Sequence, residues 1–161
     1  MGVQPADIRQ HIERVLRDEA RLLVELEQLL QRESAVVCGD DPTAIEGIGG
    51  ARHRCIEQLT RLDAERTSAC RMLSFGAGRD GFEKLLGWCD PDHSLHARWM
   101  DNLRVTRRCK ELNDRNGAVV AIRLGQVQQL LSTLRGGTPA PVYGPQGMRS
   151  DGFATRDLGQ A

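Results

Sequence analysis

Ile8, Ile12, Val15, Leu22, Leu26 and Leu29 recur three and four positions apart, interrupted only at Glu19. That spacing is the period of an α-helix, since a strand alternates its faces every second residue. Leu16, Leu23 and Leu30 widen the stripe, so the segment is an amphipathic rod whose apolar face must pack on other helices. About 30 residues rising 1.5 Å each make it roughly 45 Å long. Glu13 with Arg17, and Arg14 with Asp18, are i,i+4 pairs on its wet side, and Gly39 is expected to end it.

The prolines divide the remainder. Proline is tolerated in the first turn of a helix and disrupts its interior, so Pro5, Pro42 and Pro91 read as helix starts, while Pro139, Pro141 and Pro145 fall in a tail. Helices are expected at about 5–37, 43–75, 80–89 and 92–134. In the second, Thr43 and Glu46 form a capping box, followed by Ile45, Ile48, Ile56, Leu59, Leu62 and Leu73 along one side. Gly47, Gly49 and Gly50 each weaken its opening by about 1 kcal/mol relative to alanine, which predicts an irregular start. The third, capped by Asp80 with Glu83, follows a turn at Phe75–Gly81 and carries Phe82, Leu85, Leu86 and Trp88. The fourth opens at Asp90-Pro91 with Leu95, Trp99 and Leu103.

Asn113, Asp114, Arg115, Asn116 and Gly117 form helices poorly, and Asn116-Gly117 is also a hairpin dipeptide. A strand over Ala118–Ile122 is the alternative to an interrupted helix there. The three-four spacing of Val120, Leu124, Val127, Leu131 and Leu134 favours the helix. From Gly136 six glycines and three prolines occur without periodicity in the last 26 residues, a composition that buries too little apolar surface to order itself. The expected fold is therefore all-α: an antiparallel bundle of three long helices and one short helix over residues 1–135, then a flexible C-terminal tail over 136–161. Aromatic residues are 4% of the chain, with none before Phe75, so the first half must pack through aliphatic side chains.

Composition narrows the function. The 22 basic residues balance 22 acidic ones, which argues against a nucleic-acid binder working by broad phosphate neutralisation. No apolar run approaches the roughly 20 residues that span a bilayer. The opening MGVQPADIRQHIERV carries charges where a signal peptide needs an apolar stretch, so a cytoplasmic protein without membrane insertion is expected. Cys38, Cys55, Cys70, Cys89 and Cys109 have neither metal-ligand spacing nor disulfide density, and read as small reduced apolar residues.

Several motifs invite chemistry and are better explained by structure. Gly76, Gly78 and Gly81 match the dinucleotide fingerprint, but that motif works only between a strand and a helix, and here a helix precedes it. A glycine-rich turn is the simpler reading. Cys89, His93 and His96 lack a fourth zinc ligand. His53 lacks the nearby lysine of a phosphotransfer histidine. Arg104, Arg107, Arg108 and Lys110 form a basic cluster, read as a solvated face, with an acidic protein partner as its functional alternative. No nucleophile or acid-base pair stands out, so no catalytic residue, metal or cofactor is assigned.

Asn113, Asn116 and Gly117, the amphipathic run to Leu134, and then Tyr143, Gly144, Pro145, Gln146 and Gly147 together resemble the FlgN family of flagellar type III export chaperones. Order and spacing both agree with the family pattern of asparagines with Asn-Gly, a helix, and a terminal Tyr-Gly-x-x-Gly. The leucine patterning upstream, with Arg66 in a family-like place, adds a weaker likeness. The resemblance implies a bundle of long antiparallel helices that binds hook-filament junction (hook-associated) proteins and delivers them to the export gate. Val120, Leu124, Val127, Leu131 and Leu134 are the expected cargo-facing stripe; packing on the first two helices is the alternative for the same residues. Asn113, Asn116 and Gly117 are the expected hinge. Tyr143, Gly144 and Gly147 match the family's gate-docking motif, and the implied partners extend to the export ATPase complex. A homodimeric helical scaffold without export cargo is the competing function, and an enzyme comes third.

Overall fold

The computed structural model describes residues 3–39 and 42–134. They form four helices, α1 (Pro5–Val37), α2 (Pro42–Met72), α3 (Gly78–Cys89) and α4 (Ser94–Leu134), with no strand among the described residues. Four helix ends differ from the expected ones, by one to three residues. α2 begins at Pro42, with Thr43 in its first turn, ends at Met72 rather than near residue 75, and runs unbroken through Gly47, Gly49 and Gly50. α3 begins at Gly78 with Ala77 as N-cap and no side-chain cap, while Glu83 instead takes Arg79 Nε at 2.9 Å. α4 begins at Ser94, two residues later than expected, and continues helically through 113–117 without a break or a strand.

The junctions explain these ends. α2 closes on Ser74, whose φ of 60° lies in the left-handed region. Phe75 N donates to Cys70 O at 3.0 Å and Ser74 N to Arg71 O at 3.0 Å, the paired bonds that satisfy the last carbonyls of a helix. Gly76 and Gly78 also take positive φ, at 94° and 72°. A Cβ on Gly81 would stand 2.7 Å from Gly76 O. The three glycines of the apparent fingerprint are thus two turn residues and one close backbone approach. Before α4, Asp92 Oδ1 accepts from Ser94 N and Asp90 Oδ2 accepts from His96 N at 2.9 Å, so both carboxylates cap its first turn.

α1 is the central element. It packs along both α2 and α4. α2 runs antiparallel to it, as Arg14–Glu65 at one end and Arg52–Glu33 at the other require. α4 returns parallel to α1, because Asn102, Cys109 and Asn116 face the carbonyls of Leu16, Leu23 and Leu30 in that order. Consecutive long helices are therefore antiparallel, and the first and last share a direction.

The core has two parts. At the α3 pole, Ile12, Leu16, Phe82, Leu85, Leu95 and Trp99 interlock, with Phe82 and Trp99 edge to face at 5.1 Å between ring centroids. In the other half, Val15, Leu22, Leu26, Leu30, Cys55, Leu62 and Cys109 pack without any aromatic ring. Four of the five cysteines are buried and all five are free thiols. Burial, with the Asp90 carboxylate second, pushes the Cys89 thiol up to about 11. Burial, then Glu27, does the same to Cys109, also to about 11.

Candidate partner-binding site

Two polar layers cross the apolar core. In the first, Asn102 Nδ2 donates to Leu16 O at 3.0 Å and to Glu19 Oε2 at 2.7 Å, while Arg66 of α2 approaches Glu19 at 3.5 Å. In the second, Asn116 Nδ2 donates to Leu30 O and to Glu33 Oε2, each at 2.9 Å, and Arg52 of α2 pairs with Glu33 at 3.1 Å. The layers use the same three residue types from the same three helices. Asn102 and Asn116 are fourteen residues apart, and so are Glu19 and Glu33, and Arg66 and Arg52. Fourteen residues are two heptads, the interval at which a helix returns to the same face in a supercoil. Each buried asparagine is only 4% exposed, so only one register of α4 on α1 satisfies both donors.

The layer nearer the C-terminal end lies beside the last place where α1 covers α4. Arg123, one heptad beyond Asn116, donates to Cys38 O and Gly39 O, both at 3.0 Å, and so caps the end of α1. From there α4 continues to Leu134 with no α1 beneath it, an overhang of about 16 Å at 1.5 Å per residue.

That overhang carries most of the expected stripe. Val120 is 42% exposed, Leu124 58%, Val127 51% and Leu131 46%, so in the free chain they are not packed on the first two helices. The side chain of Leu134 lies outside the described residues. Ile122 and Leu130 are exposed as well, and Leu130 was missed by the spacing argument. Its signal was the heptad: 102, 109, 116, 123 and 130 are successive steps along the line that faces α1. Contiguous exposed apolar side chains on one helix end mark an interaction surface.

The expected hinge residues divide. Asn116 is buried and doubly bonded, an anchor in this conformation, and Asn113 Oδ1 accepts from Arg52 at 3.3 Å. Gly117 has no neighbour within 4 Å of a would-be Cβ. Tyr143, Gly144 and Gly147, with the expected flexible tail, lie outside the described residues.

The other motifs do not assemble into sites. His53 stands exposed with Glu57 at 3.6 Å. Arg104 pairs with Asp101 at 2.7 Å and Arg108 with Glu27 at 2.8 Å, as on a solvated face. No group of three or more metal-ligating side chains occurs among the described residues, nor is any described helix long and apolar enough to cross a membrane. Two clefts are present among the described residues, one of about 110 Å³ between Arg66, Phe82 and Trp99 and one of about 290 Å³ between Ile8, Glu65 and Met72.

The described residues thus form a helical bundle that fixes one helix by buried polar layers and leaves that helix's end apolar and exposed. The chain belongs to the FlgN family: the family model described as FlgN protein matches residues 8–151, most of its length and through Tyr143–Gly147. Membership implies a flagellar export chaperone role. No curated protein and no solved structure matches the chain.

Proposed function

We propose that this protein acts in the cytoplasm as a chaperone of hook-filament junction proteins, holding a C-terminal segment of the cargo on the end of α4 and delivering it to the flagellar export gate. The observation that carries this reading is the exposed stripe Val120, Leu124, Val127 and Leu131 on a helix that outruns its bundle. Junction proteins assemble through terminal helical segments that would aggregate unpaired, and an uncovered amphipathic helix end buries such a segment in the helix-in-groove mode. Leu134 would extend the stripe by a further turn.

Tyr143, Gly144 and Gly147 would dock on the cytoplasmic domain of the gate, with the export ATPase complex as a further partner. A gate contact placed after the cargo helix lets both be held at once, with an effective concentration set by the chain between them. Gly117 would be the hinge, directly beyond the Asn116 anchor. Neither catalysis nor a cofactor is part of this reading.

The test is isothermal titration of the full chain with the C-terminal segment of a hook-filament junction protein, beside a variant carrying Val120→Ser, Leu124→Ser and Leu131→Ser. Tight binding that the variant abolishes, with the helical melt retained, is the expected result. A folded wild type that binds no junction protein but remains a dimer at low concentration would favour the homodimeric scaffold.

A further inference from the structure

Residues 117–134 contain a single charged side chain, Arg123, where the chain's 27% charge content would place about five. That one guanidinium is already engaged, donating to Cys38 O and Gly39 O at the end of α1. The apolar stripe therefore sits on a stretch of helix with no free charge, flanked by Gln126, Gln128 and Gln129. It is also continuous with an interface the fold already uses. Along α4, Asn102, Cys109 and Asn116 meet α1 at heptad steps, Arg123 reaches its last carbonyls, and Leu130 takes the next step, 64% exposed. Val120, Val127 and Leu134 follow those steps by four residues, which completes the three-four alternation of a coiled-coil seam.

We infer that the occupant of this surface is an amphipathic helix of low charge that prolongs the line of α1 beyond Val37, seated on the seam through Val120, Val127 and Leu130 and selected by packing rather than by ion pairs. This rests on the chaperone reading and specifies its cargo segment: about 15 residues, or roughly 22 Å of helix, with a heptad apolar face and uncharged flanks. A charged flank would find no counter-ion here and would lose hydration without compensation. Selection works through that mismatch. Association without opposed charges is neither steered nor screened by salt.

The experiment titrates the full-length protein with a peptide spanning the C-terminal helix of a hook-filament junction protein, at about 50 mM and about 500 mM NaCl. It compares wild type with Leu130→Ser and with Ile122→Ser, an equally exposed residue two positions from Val120 and off the seam. The expected result is a Kd that changes less than about threefold with salt, at least tenfold weakening by Leu130→Ser, and no loss with Ile122→Ser. Both positions are exposed, so circular dichroism should show unchanged folding. Binding that weakens more than about tenfold with salt would overturn the inference in favour of a charge-selected partner. Equal losses from the two variants would overturn the seam geometry while leaving the chaperone reading intact. No binding at either salt would remove the chaperone reading and this inference together.

Discussion

Asn116 donates one amide group to both Leu30 O and Glu33, inside a core where little else is polar. Removing it leaves a carboxylate that keeps only Arg52 and loses its buried donor. Asn116→Ala is expected to lower stability by about 1–3 kcal/mol, read as a shift of the urea midpoint, and a double-mutant cycle with Glu33→Gln should show non-additivity. The result that would contradict this is additive behaviour with an unchanged midpoint. Gly81 makes a different kind of argument, since its constraint is room rather than φ. A methyl group there meets the Gly76 carbonyl at 2.7 Å, so Gly81→Ala should cost about 1–3 kcal/mol through displacement of the turn before α3. Nucleotide binding by the intact protein, tested by equilibrium dialysis, is expected to be nil, because those glycines build a helix–helix turn.

Among the elements, α4 joins two regimes: a bundled part locked by Asn102 and Asn116, and an overhang beyond Arg123 whose side chains Leu124, Val127, Leu130 and Leu131 are exposed. Gly117 stands at their boundary, and alanine there meets open space. Gly117→Ala is expected to stabilise the helix by up to about 1 kcal/mol and, if the overhang re-docks on cargo, to slow exchange in stopped-flow competition. Unchanged exchange kinetics and affinity would show that the segment binds without bending at Gly117. α2 teaches the same lesson from the other side. Three glycines near its start predict irregularity by local propensity, yet the helix is continuous, because packing on α1 outweighs about 1 kcal/mol per glycine.

For the whole molecule, the buried thiols make stability depend on alkaline pH. Cys89 and Cys109 are each raised to about 11 by burial, against an ordinary value of 9.0. A group whose folded pKa is raised contributes stability that is complete below the unfolded value and lost as pH rises through the folded one. The urea midpoint should therefore fall between about pH 9 and about pH 11, and Cys109→Ala should flatten that fall. An identical slope in the variant would assign the loss to other groups. At neutral pH the same burial keeps four thiols slow toward an aromatic disulfide reagent while the exposed Cys38 reacts first.

Much of this architecture follows from local pattern. The three-four spacing of Ile8 to Leu30 makes one helix face apolar whatever it packs on, and Pro5 and Pro42 can only open helices. The stripe on α4 was legible in the same way, since amphipathicity is a property of the chain. Whether that stripe was core or surface was not legible, because burial depends on where a neighbouring helix ends. α1 stops at Val37 and its register on α4 is fixed by buried amide bonds, so coverage gives out near Arg123. Glu19 looked like an interruption for the same reason. Its meaning depends on Asn102 and Arg66, dozens of residues away, and a long-range hydrogen bond leaves no trace in local periodicity. Helix identity came from neighbours in sequence, whereas the parallel return of α4, its polar layers and its uncovered end came from neighbours in space.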